Sequence, residues 1–199
     1  SIARIVDPLV DETGLTRQLD QLAKQVRKLL GPNVSLEKVP PARAVATIQQ
    51  VIFRQHGFTG AKTDYDHPRN SSLEKVLQHR KGLPILLSHV VVSVADRLDW
   101  PFVGVSIPGR YMVKYDGSRA PAGSPREDIL LDPFGGGKIL TMEQLLEIVP
   151  SLDPETALTA SSKRETVVRM LRNLEADYLA IGNLEQAERT ARYRLLVDR

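Results

Sequence analysis

The chain of 199 residues contains no cysteine. That absence excludes a disulfide, a thiolate metal site, an iron–sulfur cluster and a cysteine nucleophile. It says nothing of redox compartment, because an absent residue cannot report one. Aromatics are scarce, at 5%. Charge of one sign is scarce too: 27 Lys and Arg stand against 24 Asp and Glu, for a net charge of +3. The basic residues are interspersed with acidic ones and form no block. Nucleic-acid binding normally clusters basic residues and adds aromatics that stack on bases, so no nucleic-acid partner is expected. Long apolar runs are missing as well. The central uncharged run, Leu83 to Ala95, is shorter than the roughly 20 residues a spanning helix needs. No N-terminal stretch has the basic-then-apolar layout of a signal peptide. The expectation is a soluble, cytoplasmic protein with no membrane partner.

What is present is ordinary globular composition, 42% hydrophobic and 26% charged, in a chain long enough to bury a proper core. Leu15, Leu19, Leu22, Val26, Leu29 and Leu30 recur at helical spacing up to Gly31-Pro32, and Val45, Ile48, Val51 and Ile52 form a second stripe after Pro40-Pro41. A polar segment from Gly57 to Asn70 follows. Ser71-Ser72-Leu73-Glu74 has the layout of a capping box for a short helix that runs to about Arg80 and is stopped by Gly82. Pro84 suits the first turn of a helix, and the run after it has no polar face, which predicts a helix buried nearly all round.

Beyond Trp100-Pro101 the pattern changes to short β-like runs. Phe102 to Ile107 and Arg110 to Tyr115 flank a Pro108-Gly109 turn, and Ile129 to Asp132 is a third strand. Asp116 to Asp128 reads as an exposed loop, Gly135-Gly136-Gly137 as a turn and Thr141 to Ile148 as a short helix. Pro150 to Ala160 reads as a linker. A second capping-box pattern, Ser162 to Glu165, opens a helix burying Val168, Leu171, Leu174 and Tyr178. A last helix carries Leu184, Ala187, Ala191 and Leu195 after Gly182-Asn183, which makes an αα-hairpin.

Few residues carry recognisable chemistry. Ser88 and His89 are adjacent on a helix, point about 100° apart and cannot form a dyad. The four histidines, His56, His67, His79 and His89, include no pair at metal-ligand helical spacing, so no metal is expected. Gly135-Gly136-Gly137-Lys138 lacks the spacing of a phosphate loop. No cofactor is called for. The arginines of the last helix, Arg189, Arg192 and Arg194, share it with Glu185, Glu188 and Asp198, so a solvated face is the better reading than a nucleic-acid track.

One ordered set of segments is more specific. His56-Gly57-Phe58-Thr59-Gly60, Asp64-Tyr65 through Pro68-Arg69-Asn70-Ser71, Arg80-Lys81-Gly82-Leu83-Pro84-Ile85, Pro108-Gly109-Arg110-Tyr111-Met112-Val113 and Leu131-Asp132-Pro133-Phe134 occur in sequence. Together they resemble the SirB-type branch of the transglutaminase-like superfamily, a bacterial group with relatives in eukaryotic F-box proteins. The resemblance implies an α+β fold. A transglutaminase-like (papain-like) core would hold a buried central helix and a small antiparallel sheet between flanking helices. It implies a domain over residues 1–149 and, over 150–199, a linker and tetratricopeptide-like helical hairpin docked on the core.

The family's Cys-His-Asp triad can be carried over by position. The cysteine falls at Pro84, the histidine at Arg110 and the aspartate at Asp132. Proline is no nucleophile, and an arginine stays protonated and cannot serve as general base. The expected function is therefore a non-catalytic protein-interaction or regulatory module with a protein partner. The candidate binding residues are Arg110, Asp132, Arg69, Asn70 and Tyr111. Arg110 could pair structurally with Asp132 or capture an acidic or C-terminal carboxylate. Arg69, Asn70 and Ser71 could shape a turn and cap a helix, or rim the cleft. The alternative function is a hydrolase or amide-bond transferase using a non-cysteine nucleophile or a water activated by Asp132.

Overall fold

The computed structural model describes residues 9–154 and 156–198. Helix α1, Glu12–Leu30, begins where the Asp11 side chain accepts from the Gly14 N–H at 2.9 Å. It buries Leu15, Leu19, Leu22, Val26 and Leu30. Leu29, expected in the same stripe, is instead exposed. Adjacent helical residues point about 100° apart, and the core takes only Leu30 of this pair. Helix α2, Pro41–Ile48, has proline at its start and continues without a break into π-helical turns over Gln49–Gln55. These turns bury Val51, Ile52 and Phe53 in succession. They also aim Gln49 Nε2 at the Gly137 carbonyl, 2.6 Å away.

The next helix, α3, spans Leu73–His79. The capping box expected at Ser71 and Glu74 does not form. Ser72 is the N-cap, and its side chain makes no capping bond. Ser71 is fully buried and donates its hydroxyl hydrogen to Asp177 at 2.6 Å. A buried hydroxyl must find a partner, and the strongest acceptor in reach is a carboxylate brought from far along the chain. The helix ends about where expected, with Arg80 as its left-handed cap at φ 61°, and Gly82 takes no part in stopping it. Gly82 belongs to β2, Lys81–Gly82, which pairs parallel with β1, Thr59–Gly60. Helix α4, Pro84–Asp96, is buried on nearly every side, as its sequence requires.

The sheet is a four-stranded antiparallel meander of β3 (Phe102–Ile107), β4 (Arg110–Tyr115), β5 (Ile129–Asp132) and β6 (Lys138–Leu140), in that order. Three strands match the sequence reading, and β6 is an addition formed beyond the glycine turn. Alternation divides its faces. Tyr111, Val113, Tyr115 and Leu131 join the main core with α1, α2 and α4. Val105, Ile107, Met112, Leu130 and Leu140 form a second cluster under Leu145 of helix α5, Met142–Ile148.

The segment read as a linker lies against that second layer. Leu152 and Leu158 pack on it, Ala160 bridges Val105, and the Ser161 N–H donates to the Gly104 carbonyl at 2.8 Å. Helix α6, Lys163–Ala180, opens with the expected capping box of Ser162 and Glu165. It pairs with α7, Leu184–Val197, around Leu171, Leu174, Tyr178 and Ala187. Leu184 and Leu195, two of the apolar residues that the last helix carries, are exposed. Helix α7 turns the small residues Ala187 and Thr190 inward instead. The architecture is α+β. Among the described residues, no helix is long and apolar enough to cross a membrane.

Candidate functional site

Three elements converge on the positions to which the resemblance carries the family's triad. Helix α4 brings Pro84, the first residue of β4 brings Arg110, and the last residue of β5 brings Asp132. They line a cavity of about 220 Å³ together with Tyr65, Tyr111 and Phe134. Arg110 Nη1 lies 3.7 Å from Asp132 Oδ2, with the arginine side chain 38% exposed and the aspartate 14%. That separation exceeds the roughly 2.7–2.9 Å of a strong charge-assisted hydrogen bond. Most of the five guanidinium donors are therefore not engaged by this carboxylate. The positive end of the α4 dipole opens on the same space.

The floor and wall are fixed by close backbone approaches. The Gly137 N–H donates to the Asp132 carbonyl at 2.8 Å. A Cβ on Gly135 would stand 2.7 Å from Asp132 Oδ2, so glycine is what lets this turn fold back over the carboxylate. Likewise a Cβ on Gly60 would sit 2.5 Å from the Phe134 ring, and the Gly60 N–H donates to the Phe134 carbonyl at 3.1 Å. Phe134 and Tyr65 then meet edge to face with centroids 5.9 Å apart. Burial pushes the Tyr65 hydroxyl pKa up, reinforced by Asp66 and Asp177 and opposed by Arg169.

A side chain that sequence reasoning missed, Arg169 of α6, holds the entrance strand. Its Nη2 donates to the Arg110 carbonyl at 2.7 Å, and both terminal nitrogens reach the Ile107 carbonyl at 3.4 Å. It also donates to Ser106 Oγ. Its guanidinium lies 5.4 Å over the Tyr111 ring. The Tyr111 hydroxyl in turn pairs with Thr166 at 2.7 Å. Tyr111 thus contributes its ring to the cleft, while its polar end is committed to α6. The available signal was spacing: Thr166, Arg169, Met170 and Asp177 share a helical face different from that of Leu171, Leu174 and Tyr178.

Arg69 and Asn70 are not in this cleft. They line a neighbouring pocket with Asp64, Lys75, His79 and Lys81. Asn70 donates to the carbonyls of Asp64 and Tyr65 at 2.5 and 3.2 Å, so it shapes the loop between the two cavities. Among the described residues no group of histidine, aspartate and glutamate side chains is placed to hold a metal ion. His56 pairs with Gln25 at 2.6 Å, and His67 accepts from the Arg69 N–H at 3.1 Å. His89 lies 3.5 Å from Ser93, and burial lowers its pKa. Ser88 donates to the Tyr111 carbonyl at 3.4 Å.

Known proteins resemble this chain in sequence. The chain is 34% identical over 158 residues to a UPF0162 protein of Xylella fastidiosa, covering 74% of this chain and 53% of that protein. It is 30% identical over 171 residues to a UPF0162 protein of Pseudomonas aeruginosa, covering 83% and 58%. It is also 25% identical over 158 residues to F-box only protein 21 of Homo sapiens, covering 79% and 24%. The chain spans about half the length of the UPF0162 relatives it matches. No solved structure matches it significantly. A family model described as the transglutaminase-like superfamily matches residues 14–172. That match covers the strands and helices that frame Pro84, Arg110 and Asp132, and the chain belongs to the transglutaminase-like superfamily.

Proposed function

We propose that this chain is a non-catalytic member of the SirB-type branch, and that the former catalytic cleft is a protein-interaction site. The observation that carries this reading is the set Pro84, Arg110 and Asp132 in the three triad positions. The nucleophile slot holds a side chain with no reactive atom. The base slot holds a permanent cation. What remains is a small cavity with a guanidinium, a carboxylate and an aromatic wall. Such a cavity suits recognition of an acidic side chain or a C-terminal carboxylate on a protein partner, with the free donors of Arg110 as the anchor and the α4 dipole in support. The short match within F-box only protein 21 is consistent with a domain that occurs joined to other segments.

The competing reading, a hydrolase or amide-bond transferase that activates water through Asp132, gains no support from the geometry. The carboxylate faces Arg110, no serine, threonine or histidine lines the cavity, and the Tyr111 hydroxyl is committed to Thr166. The test compares partner capture by wild type and Arg110→Ala after circular dichroism establishes that both are folded. A partner held by wild type and lost by the variant supports the cleft as the binding site. Equal retention overturns it. A pH-dependent hydrolytic activity abolished by Asp132→Asn, with the fold intact, would instead establish the enzyme.

A further inference from the structure

Beside the cleft, basic side chains from three elements meet around a second cavity of about 280 Å³. Arg69 comes from the 3₁₀ turn Pro68–Ser71, Lys75 and His79 from α3, and Lys81 from β2. Lys75 and His79 are four residues apart and share one face of α3. Asn70, by holding the Asp64 and Tyr65 carbonyls, fixes the loop that closes the far side.

The acids nearby hold these cations weakly. Arg69 Nη2 is 3.6 Å from Asp64 Oδ2, with the two side chains 49% and 71% exposed. Exposed pairs of this kind contribute about 0–1 kcal/mol, so a stronger anion can replace the aspartate. Lys75 pairs with its chain neighbour Glu74 at 3.3 Å, with the two side chains 38% and 31% exposed, a partly exposed pair of the same weak kind. Among the described residues no carboxylate pairs with Lys81.

We propose that this cavity binds a phosphate monoester dianion, carried by a phosphorylated side chain or by a small free phosphate compound. Such a group brings about −1.5 to −2 charge at neutral pH and three acceptor oxygens. The cavity offers one planar guanidinium fork and two compact ammonium charges to meet them. Its volume lies just under the roughly 300–1,000 Å³ of sites for drug-sized ligands, which suits a single headgroup. A nucleic-acid strand would call for an extended basic track with aromatic platforms. No phenylalanine, tyrosine or tryptophan lines this cavity.

The test is an NMR titration of the full chain with inorganic phosphate, O-phosphoserine, a phosphoserine peptide, its unphosphorylated form and a short single-stranded RNA. Expected are saturable shifts in residues 61–64, 69–70 and 75–81 with the phosphorylated probes and none with the unphosphorylated peptide. Lys75→Gln and Lys81→Gln, both conservative changes at the cavity wall, should each weaken binding about tenfold. Equal affinity for inorganic phosphate and the phosphopeptide identifies a free phosphate ligand; a markedly tighter phosphopeptide identifies a phosphoprotein. The proposal is overturned if no phosphorylated probe shifts these residues, or if only RNA does. Binding by both lysine variants at wild-type strength, with unchanged circular dichroism, overturns it equally.

Discussion

Helices α4 and α6 flank the same sheet and are attached to it in opposite ways. Helix α4 presents Ile85, Leu87, Val90, Val91 and Val94, all essentially without solvent exposure. Its attachment is apolar area and shape, which is non-directional and accumulates at about 25 cal/mol per Å². Helix α6 brings Met170 to the main core and otherwise meets it through Thr166, Arg169 and Asp177. These are directional ties, each to an atom at a fixed place. The difference bears on the cleft. Arg169 holds the carbonyl of Arg110, and Asp177 holds Ser71 at the end of the loop that carries Tyr65. A helix that contributes nothing to the cavity lining thus positions both sides of it.

Truncation should separate the two attachments most clearly. Leu87→Ala, in α4, should cost about 2–5 kcal/mol, because a fully buried leucine leaves a cavity the packed surroundings cannot collapse into. Arg169→Met should cost less, about 1.5–3 kcal/mol for lost hydrogen bonds from a charged group. It should also shift the amide resonances of Ile107 to Tyr111, which Leu87→Ala should disturb little. Urea denaturation measures the first quantity and NMR the second. A larger loss for Arg169→Met than for Leu87→Ala would break the contrast.

A finer test uses Asp177, buried and hydrogen-bonded to buried Ser71. Asp177→Ala leaves the Ser71 hydroxyl without its acceptor and should cost about 1–3 kcal/mol. Asp177→Asn keeps an acceptor oxygen and removes a buried charge, so its melting temperature at pH 7 should stay close to wild type. A loss as large for asparagine as for alanine would mean that the negative charge itself, and not the hydrogen bond, holds α6.

The two helices should also respond oppositely to acid. Burial, reinforced by Asp66 and opposed chiefly by Ser71, raises the Asp177 carboxyl above its ordinary value. The folded state then binds this proton more readily than the unfolded state. The penalty of the buried charge is present above the folded pKa and is relieved as pH falls through it. His89 on α4 is shifted the other way, lowered by burial first and by Arg97, with Asp96 opposing. The unfolded chain takes that proton first, so stability is lost as pH falls from the ordinary histidine value of about 6.5 towards the lower folded one, and is unaffected above it. Melts from pH 7 to 4 should show a decline that His89→Gln reduces, and an acid-side gain relative to Asp177→Asn. The same slope in wild type and His89→Gln would remove the histidine from the account.

How much of this could be read from sequence follows the same division. Helix α4 and strands β3, β4 and β5 were legible because apolar runs and the Pro-Gly turn mark them directly. The family resemblance, carried over by position, implied that Pro84, Arg110 and Asp132 lie together. Strand β6, at Lys138–Leu140, and the two-residue pair β1 and β2 were not legible. They are too short to carry a period, and their pairing depends on partners elsewhere in the chain. The ties of α6 were missed for a related reason. Periodicity assigns polar residues to solvent, yet Arg169 and Asp177 find their acceptor and donor 59 and 106 residues away. Ser71 shows the competition plainly: its local pattern spells a helix cap, and a distant carboxylate wins. The exposure of Leu184 and Leu195 is the converse, since small Ala187 and Thr190 take the contact face of α7.

The smallest expected effect on stability belongs to the cleft itself. Arg110 and Asp132 stand 3.7 Å apart with the arginine 38% exposed, and a pair of this length and exposure contributes about 0–1 kcal/mol. Arg110→Gln should therefore leave the urea midpoint nearly unchanged, and a double-mutant cycle with Asp132→Asn should give a coupling in that range. If the pair were the scaffold that replaced histidine and aspartate, the coupling would exceed about 2 kcal/mol, as for buried, hydrogen-bonded charges whose partner is removed. A small coupling has a definite consequence. The fold is held by α4 through apolar area and by α6 through Arg169 and Asp177, so it does not depend on Arg110 meeting Asp132. The guanidinium is then free to meet a carboxylate from outside, and loss of partner capture without loss of stability is the signature that separates a recognition residue from a structural one.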